Sequence, residues 1–173
     1  MNEITSVSLK GNRESVFESI SKYLAEEGFT IAAKDFTRPW GGFFVLDENQ
    51  AEKFAKKFFG EVDFKSLKIS NKLSPKILVV EPHKRLSWQY HHRRAEIWKL
   101  VAGTSGVVIS KTDDQGDVQQ MKPGEIVRLA QGQRHRLVGR DGWGMVAEIW
   151  QHTDAQNPSD ENDIVRLQDD FGR

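Results

Sequence analysis

The chain has 173 residues, 38% hydrophobic and 29% charged, which is the composition of one globular domain with a real core and not of a disordered chain. Lys+Arg and Asp+Glu are each 25, so no basic field exists to attract nucleic acid or an anionic membrane surface. The absence of cysteine excludes disulfides, thiolate zinc sites and thiol nucleophiles, and leaves His, carboxylate and amide oxygen as the available metal ligands.

The first ten residues carry no basic stretch followed by an apolar core, and the longest aliphatic run, Ile77 to Val80, is far below membrane-spanning length, so a cytoplasmic protein is expected. Asn12 as a cap, Val16, Phe17, Ile20, Tyr23 and Leu24 at helical spacing, and Gly28 as terminator predict a first helix. Arg38-Pro39-Trp40-Gly41-Gly42 breaks regular structure and predicts a loop. A second amphipathic helix follows Asp47, with Ala51, Phe54, Ala55, Phe58 and Phe59 on its apolar side. Residues 1–66 therefore read as a helical and loop extension, and residues 67–173 as a separate β barrel within one structural unit.

From Leu67 the pattern changes to short strands, expected near 67–70, 76–81, 85–92, 94–102, 106–112, 117–121, 125–130, 133–138, 143–151 and 163–168. Gly103-Thr104-Ser105-Gly106, Asp113-Asp114-Gln115-Gly116 and Gly139-Arg140-Asp141-Gly142 read as hairpin turns. So many short antiparallel strands need a sandwich or small barrel to remove their edges, and a jelly roll is the leading all-β architecture.

Within 85–92, period-two alternation puts Arg85, Ser87, Gln89 and His91 on one face and Leu86, Trp88 and Tyr90 on the other. Glu96 follows on the next strand, and His135 lies beyond two further strands. An amide oxygen, two imidazoles and a carboxylate converging in a barrel mouth suit one divalent metal ion, Zn, Mn, Fe or Co. Arg94, two residues before Glu96, shares its strand face and is the preferred polar anchor of the cavity. His83, His92 and His152 read as ordinary surface histidines, and burial in the core is the default for Trp88, Trp98, Trp143 and Trp150.

Gln89-x-His91, four residues, Glu96, six residues, Gly103 keeps the spacing of the first metal-binding cupin motif, with Gln for its first His. Gly124, five residues, Ala130-x-Gly132-x-x-His135 keeps the spacing of the second but lacks its Pro and Asn. Pro82-His-Lys-Arg-Leu-Ser-Trp-Gln-Tyr-His-His-Arg-Arg-Ala-Glu-Ile-Trp98, the Arg38-Pro-Trp-Gly41 motif, Asp163-Ile-Val-Arg166 and Phe171-Gly-Arg173 resemble the type II phosphomannose isomerases. These usually form the C-terminal part of mannose-1-phosphate guanylyltransferases. Arg93 and Ile97 stand where that family usually has His, and 47–73 resembles an insertion. No Gly-rich nucleotide loop is present, so guanylyl transfer is not expected.

The resemblance implies a double-stranded β-helix that isomerises a phosphorylated hexose with metal, and a homodimer. By position in the family, Glu148 would relay the proton, Arg166 and Arg173 would hold phosphate, and Arg94 would stabilise charge. The partner is then a small sugar or sugar phosphate, with neither nucleic acid nor membrane involved. Two alternatives stay open: a non-catalytic sugar- or metabolite-binding cupin, and an isomerase or epimerase of another sugar.

Overall fold

In the computed structural model, which describes residues 7–173, the first helix, α1, runs Arg13–Glu26. The first six residues of the expected 1–66 extension lie outside that range. Asn12 accepts the Ser15 N–H at 2.9 Å and so satisfies an otherwise orphaned donor of the first turn. At the other end Gly28 takes φ +79°, its N–H bonds the Ala25 carbonyl and the Phe29 N–H reaches back to Leu24, a closed C-terminal cap.

Strands β1, Ile31–Arg38, and β2, Gly41–Leu46, form a hairpin turning at Pro39 and Trp40. This corrects the reading of 1–66 as helix and loop alone. Strand β1 is largely exposed and shows no two-fold apolar alternation, so its conformation comes from pairing with β2. Gly41 has φ +144°, and a Cβ there would lie 1.9 Å from the Val79 carbonyl oxygen. Gly41→Ala is expected to cost about 2–4 kcal/mol, read as a lower denaturant midpoint, because strain and a backbone clash act together. An unchanged midpoint would mean that the hairpin moves to make room.

A 3₁₀ turn over Glu48–Gln50, capped by Asp47, leads into α2, Ala51–Phe58. Helix α3, Phe64–Leu67, occupies the start of the strand expected at 67–70, because the Asp63 side chain caps it by accepting the Lys65 N–H. The remaining strands are β3 (Lys76–Val80), β4 (Trp88–Tyr90), β5 (Arg94–Ser110), β6 (Gln119–Gln120), β7 (Ile126–Leu129), β8 (Arg134–His152) and β9 (Val165–Gln168).

The nine strands of the described residues belong to one antiparallel sheet. Two of the expected hairpins are not turns: Gly103–Gly106 lies inside β5 and Gly139–Gly142 inside β8. The register jumps there from Gly103↔Gly144 to Ser105↔Gly139, so the two glycine-rich stretches face each other and interrupt the long pair where it must change direction. Asp113–Gly116 does connect two strands, β5 to β6. Strand β8 meets β4 at Gln89↔His135 near its start and pairs with β3 over Gly144–Glu148, while β5 follows it along its length, which wraps the sheet around an interior.

Strand β3 is buried on both faces. Ile77 and Val79 join the cluster formed with α1, α2 and the outward residues Met145, Ala147 and Ile149 of β8. Leu78 and Val80 instead meet Trp98, Leu100 and Val146 inside the barrel. Burying each of the large α1 side chains contributes about 1.5–3 kcal/mol, so the helices are fixed to the outer wall by packing. Among the described residues no helix is long and apolar enough to cross a membrane.

Candidate metal centre and active site

The short strand β4 sets Gln89 opposite His135 of β8, and β5 carries Arg94 and Glu96 into the same interior. His91 Nδ1 donates to the Asp163 carbonyl at 2.7 Å, and His135 Nδ1 donates to the Gln133 carbonyl at 2.9 Å. Each anchor leaves the ring's Nε2 lone pair aimed at Glu96: His91 Nε2 lies 3.2 Å from Oε1 and His135 Nε2 lies 3.5 Å from Oε2. Burial pushes the His135 pKa down to about 4, so the imidazole is neutral at pH 7. Burial works against ionisation of Glu96, but the His91 and Arg94 side chains beside it hold its carboxyl well below the usual range.

The Arg94 Nη2 lies 3.3 Å from His91 Nε2, so the lone pair left without a donor is that of His135, and a cation between it and Glu96 would satisfy both. His135 Nε2 and Glu96 Oε2 are both buried without a hydrogen-bond partner. The donor atoms of His91, Glu96 and His135 lie within 4.8 Å of one another. Donors bound about 2.1 Å from one ion sit roughly 3.0–3.5 Å apart, which matches both histidine–glutamate separations. Gln89 brings its amide to 3.5 Å from His91 Nε2, and its other amide atom meets the Ser87 hydroxyl. Because that hydroxyl can donate or accept, the Gln89 oxygen can face either way. The residues therefore fit a divalent metal.

One cavity is lined by Gln89, Arg94, Glu96, Glu148, Arg166 and Arg173, with His91 and His135 behind Glu96. Arg94 donates from Nε to Glu96 at 2.8 Å and from Nη1 to Ser159 at 2.8 Å, and stacks 3.6 Å from the Trp150 ring centre. Glu148 accepts the Trp98 indole N–H at 2.7 Å and the Trp150 indole N–H at 2.8 Å. Burial first, and then the Glu96 charge, push its pKa up to about 8, while Lys76 and Arg94 oppose the rise. Arg166 pairs across the strands with Gln89 and has no ion-pair partner among the described residues, whereas Arg173 holds Asp169 at 2.8 Å.

Several functional neighbours were not read from the sequence. Trp98 and Trp150 are buried as expected; Trp98 shares the Glu96 strand face, which already made it a candidate floor for a sugar site, whereas the hold of both indoles on Glu148 and the cavity position of Trp150 carried no signal. His152, expected on the surface, is fully buried: it bonds Ser74 at 2.9 Å and accepts the Ser159 N–H at 3.0 Å. Burial pushes its pKa down to about 4. The Asp163 carboxylate accepts the backbone N–H groups of His92 and Arg93 and the Ser159 hydroxyl, and so straps the 154–163 loop over the site. Its presence in Asp163-Ile-Val-Arg166 was the available signal. Lys76, at the head of β3, lines the cavity too.

The sequence profile described as "Mannose-6-phosphate isomerase C-terminal" matches residues 47–169. A mannose-1-phosphate guanylyltransferase of Salmonella montevideo is 29% identical over 143 residues, 83% of this chain and 24% of its own. The xanthan biosynthesis protein XanB of Xanthomonas campestris pv. campestris is 31% identical over 139 residues, 79% of this chain and 23% of its own. The chain thus spans about a quarter of the length of these relatives. Among solved structures, the vicilin of Solanum melongena aligns with TM-score 0.53 and 16% identity, over 80% of this chain and 33% of its own. The expected all-β cupin fold is borne out.

Proposed function

This chain belongs to the mannose-6-phosphate isomerase C-terminal family, and we propose that it is a metal-dependent aldose–ketose isomerase of a phosphorylated hexose, acting as a homodimer. The observation that carries this reading is the pairing of a buried His91–Glu96–His135 cluster that fits a divalent ion with a separate buried carboxyl, Glu148, in one cation-rich cavity. Gln89, His91, Glu96 and His135 would hold one divalent ion, which when bound polarises a substrate carbonyl or its adjacent hydroxyl.

Isomerisation moves a proton between neighbouring carbons through an enediol. Glu148, with a pKa near neutrality and both oxygens fixed by indoles, is placed to take and return that proton. Arg94 faces the same space and offsets the charge that develops on the enediolate oxygen. Arg166 and Arg173 supply guanidinium groups for the phosphate.

Glu148 holds its proton longer in the folded protein, to about pH 8, than in the unfolded chain, which releases it near 4.5. Between those values the folded state binds more protons, so stability falls as pH rises. Glu148→Gln should flatten that decline in denaturation curves. It should also lower turnover about 10²-fold or more, and wild-type turnover should rise towards pH 8 as the base form appears.

The deciding assay is conversion of mannose 6-phosphate and a panel of aldose phosphates and free aldoses by the metal-loaded protein. A protein that binds metal and sugar phosphate yet converts none of them would favour the second reading, a non-catalytic sugar-binding cupin. Arg93 and Ile97, at positions where the family usually has His, support that alternative.

A further inference from the structure

Lys76 is an unusual occupant of its position. On β3 it shares the inward face with Leu78 and Val80, and its side chain is 7% exposed. Its ammonium lies 3.9 Å from the ring centre of Trp150, the residue whose other neighbour is Arg94. A buried ammonium needs a carboxylate partner. Glu148 is directly opposite it in the β3–β8 register, but both Glu148 oxygens are taken by indoles, and the two residues form no ion pair.

The partner is Glu161, whose side chain is 62% exposed and comes from the loop that crosses the cavity mouth. That loop is anchored without it. Ser159 is bound to His152 and Arg94, and Asp163 to the His92 and Arg93 amides. The Glu161 contact therefore adds little to loop closure, and it places a displaceable oxyanion on a fixed, desolvated cation inside the candidate site.

We propose that Lys76 is an anion-binding residue of this cavity, that Glu161 occupies it when no ligand is present, and that the phosphate of a sugar phosphate displaces the Glu161 carboxylate. This adds a cation to Arg166 and Arg173 and rests on the sugar-phosphate reading above. The exchange is one oxyanion for another on the same ammonium, so Glu161 sets how strongly a ligand must bind to enter, and neutral sugars gain nothing from it.

The test is calorimetric titration of the metal-loaded protein with inorganic phosphate. Glu161→Gln removes the competing charge at an exposed position and should tighten phosphate binding about fivefold, the scale of one partly exposed ion pair. Lys76→Met in the Glu161→Gln background should abolish the gain. Asp160→Asn, which alters another exposed carboxylate of the same loop, should leave affinity unchanged. No gain in Glu161→Gln, a gain that survives loss of Lys76, or an equal gain in Asp160→Asn would each overturn the proposal. Turnover is not read here, so an isomerase reading that fails leaves the phosphate result intact, and the reverse also holds.

Discussion

His135→Ala is expected to yield a folded protein that has lost most of its bound divalent metal. The ring packs edge-on against Trp98 inside the barrel, away from the cluster that joins the helices to it, and it is neutral at pH 7, so its removal leaves no uncompensated charge. What disappears is one of two lone pairs that face Glu96. Loss of an outer-shell partner alone typically weakens metal binding 10–100-fold, and loss of a ligand should cost at least as much. His91→Ala should behave alike, with the added loss of the bond to the Asp163 carbonyl.

Metal analysis after dialysis reads the effect directly, and thermal melting reads it independently. Wild-type protein at 100 times the dissociation constant should gain about 2.7 kcal/mol from metal, and His135→Ala should gain almost nothing. Since His135 stays neutral down to about pH 4, protons compete with metal at that ring only in strongly acid solution. If both alanine variants keep stoichiometric metal, the site lies elsewhere.

The His91–Glu96–His135 cluster was legible because alternation and spacing carry its signal. Alternation fixes the faces of Gln89 and His91, and the spacing to Glu96 and His135 survives whatever the intervening loops do. Strand pairing that depends on distant partners was not legible. Strand β1 carries no apolar alternation of its own, and the glycine pairs at 103–106 and 139–142 look like turns until each is seen facing the other across β5 and β8. The same limit hid His152, Lys76 and Asp163. Each is a polar residue whose partners are 4 to 85 positions away, Asp163 with Ser159 and Lys76 with Glu161 being the two ends of that range. Single-residue patterns report hydrophobic burial, whereas a buried polar group is justified only by partners that the pattern does not contain.

Arg94 is where structural and catalytic roles must be separated by measurement. Its guanidinium is fixed by Glu96, Ser159 and the Asp160 carbonyl and sits over the Trp150 ring, so it is held in place before any ligand arrives. Such a preorganised cation costs no reorganisation when negative charge develops beside it, and removing one typically lowers turnover about 10²–10³-fold. The same contacts mean that Arg94→Ala breaks a buried ion pair, which costs about 3–5 kcal/mol of stability. Arg94→Lys separates the two effects: it keeps the charge and part of the packing, but loses the fork that reaches Glu96 and Ser159 together. Arg94 is not a metal ligand and adds like charge to the site, so Arg94→Lys should retain metal and fold while turnover falls. Wild-type turnover in Arg94→Lys would show that the guanidinium fork is not needed, and wild-type turnover in a folded Arg94→Ala would remove the charge from the reaction as well. Joint loss of metal and fold in both variants would make it the anchor of the 154–163 loop, and the non-catalytic binding reading would then account better for the cavity.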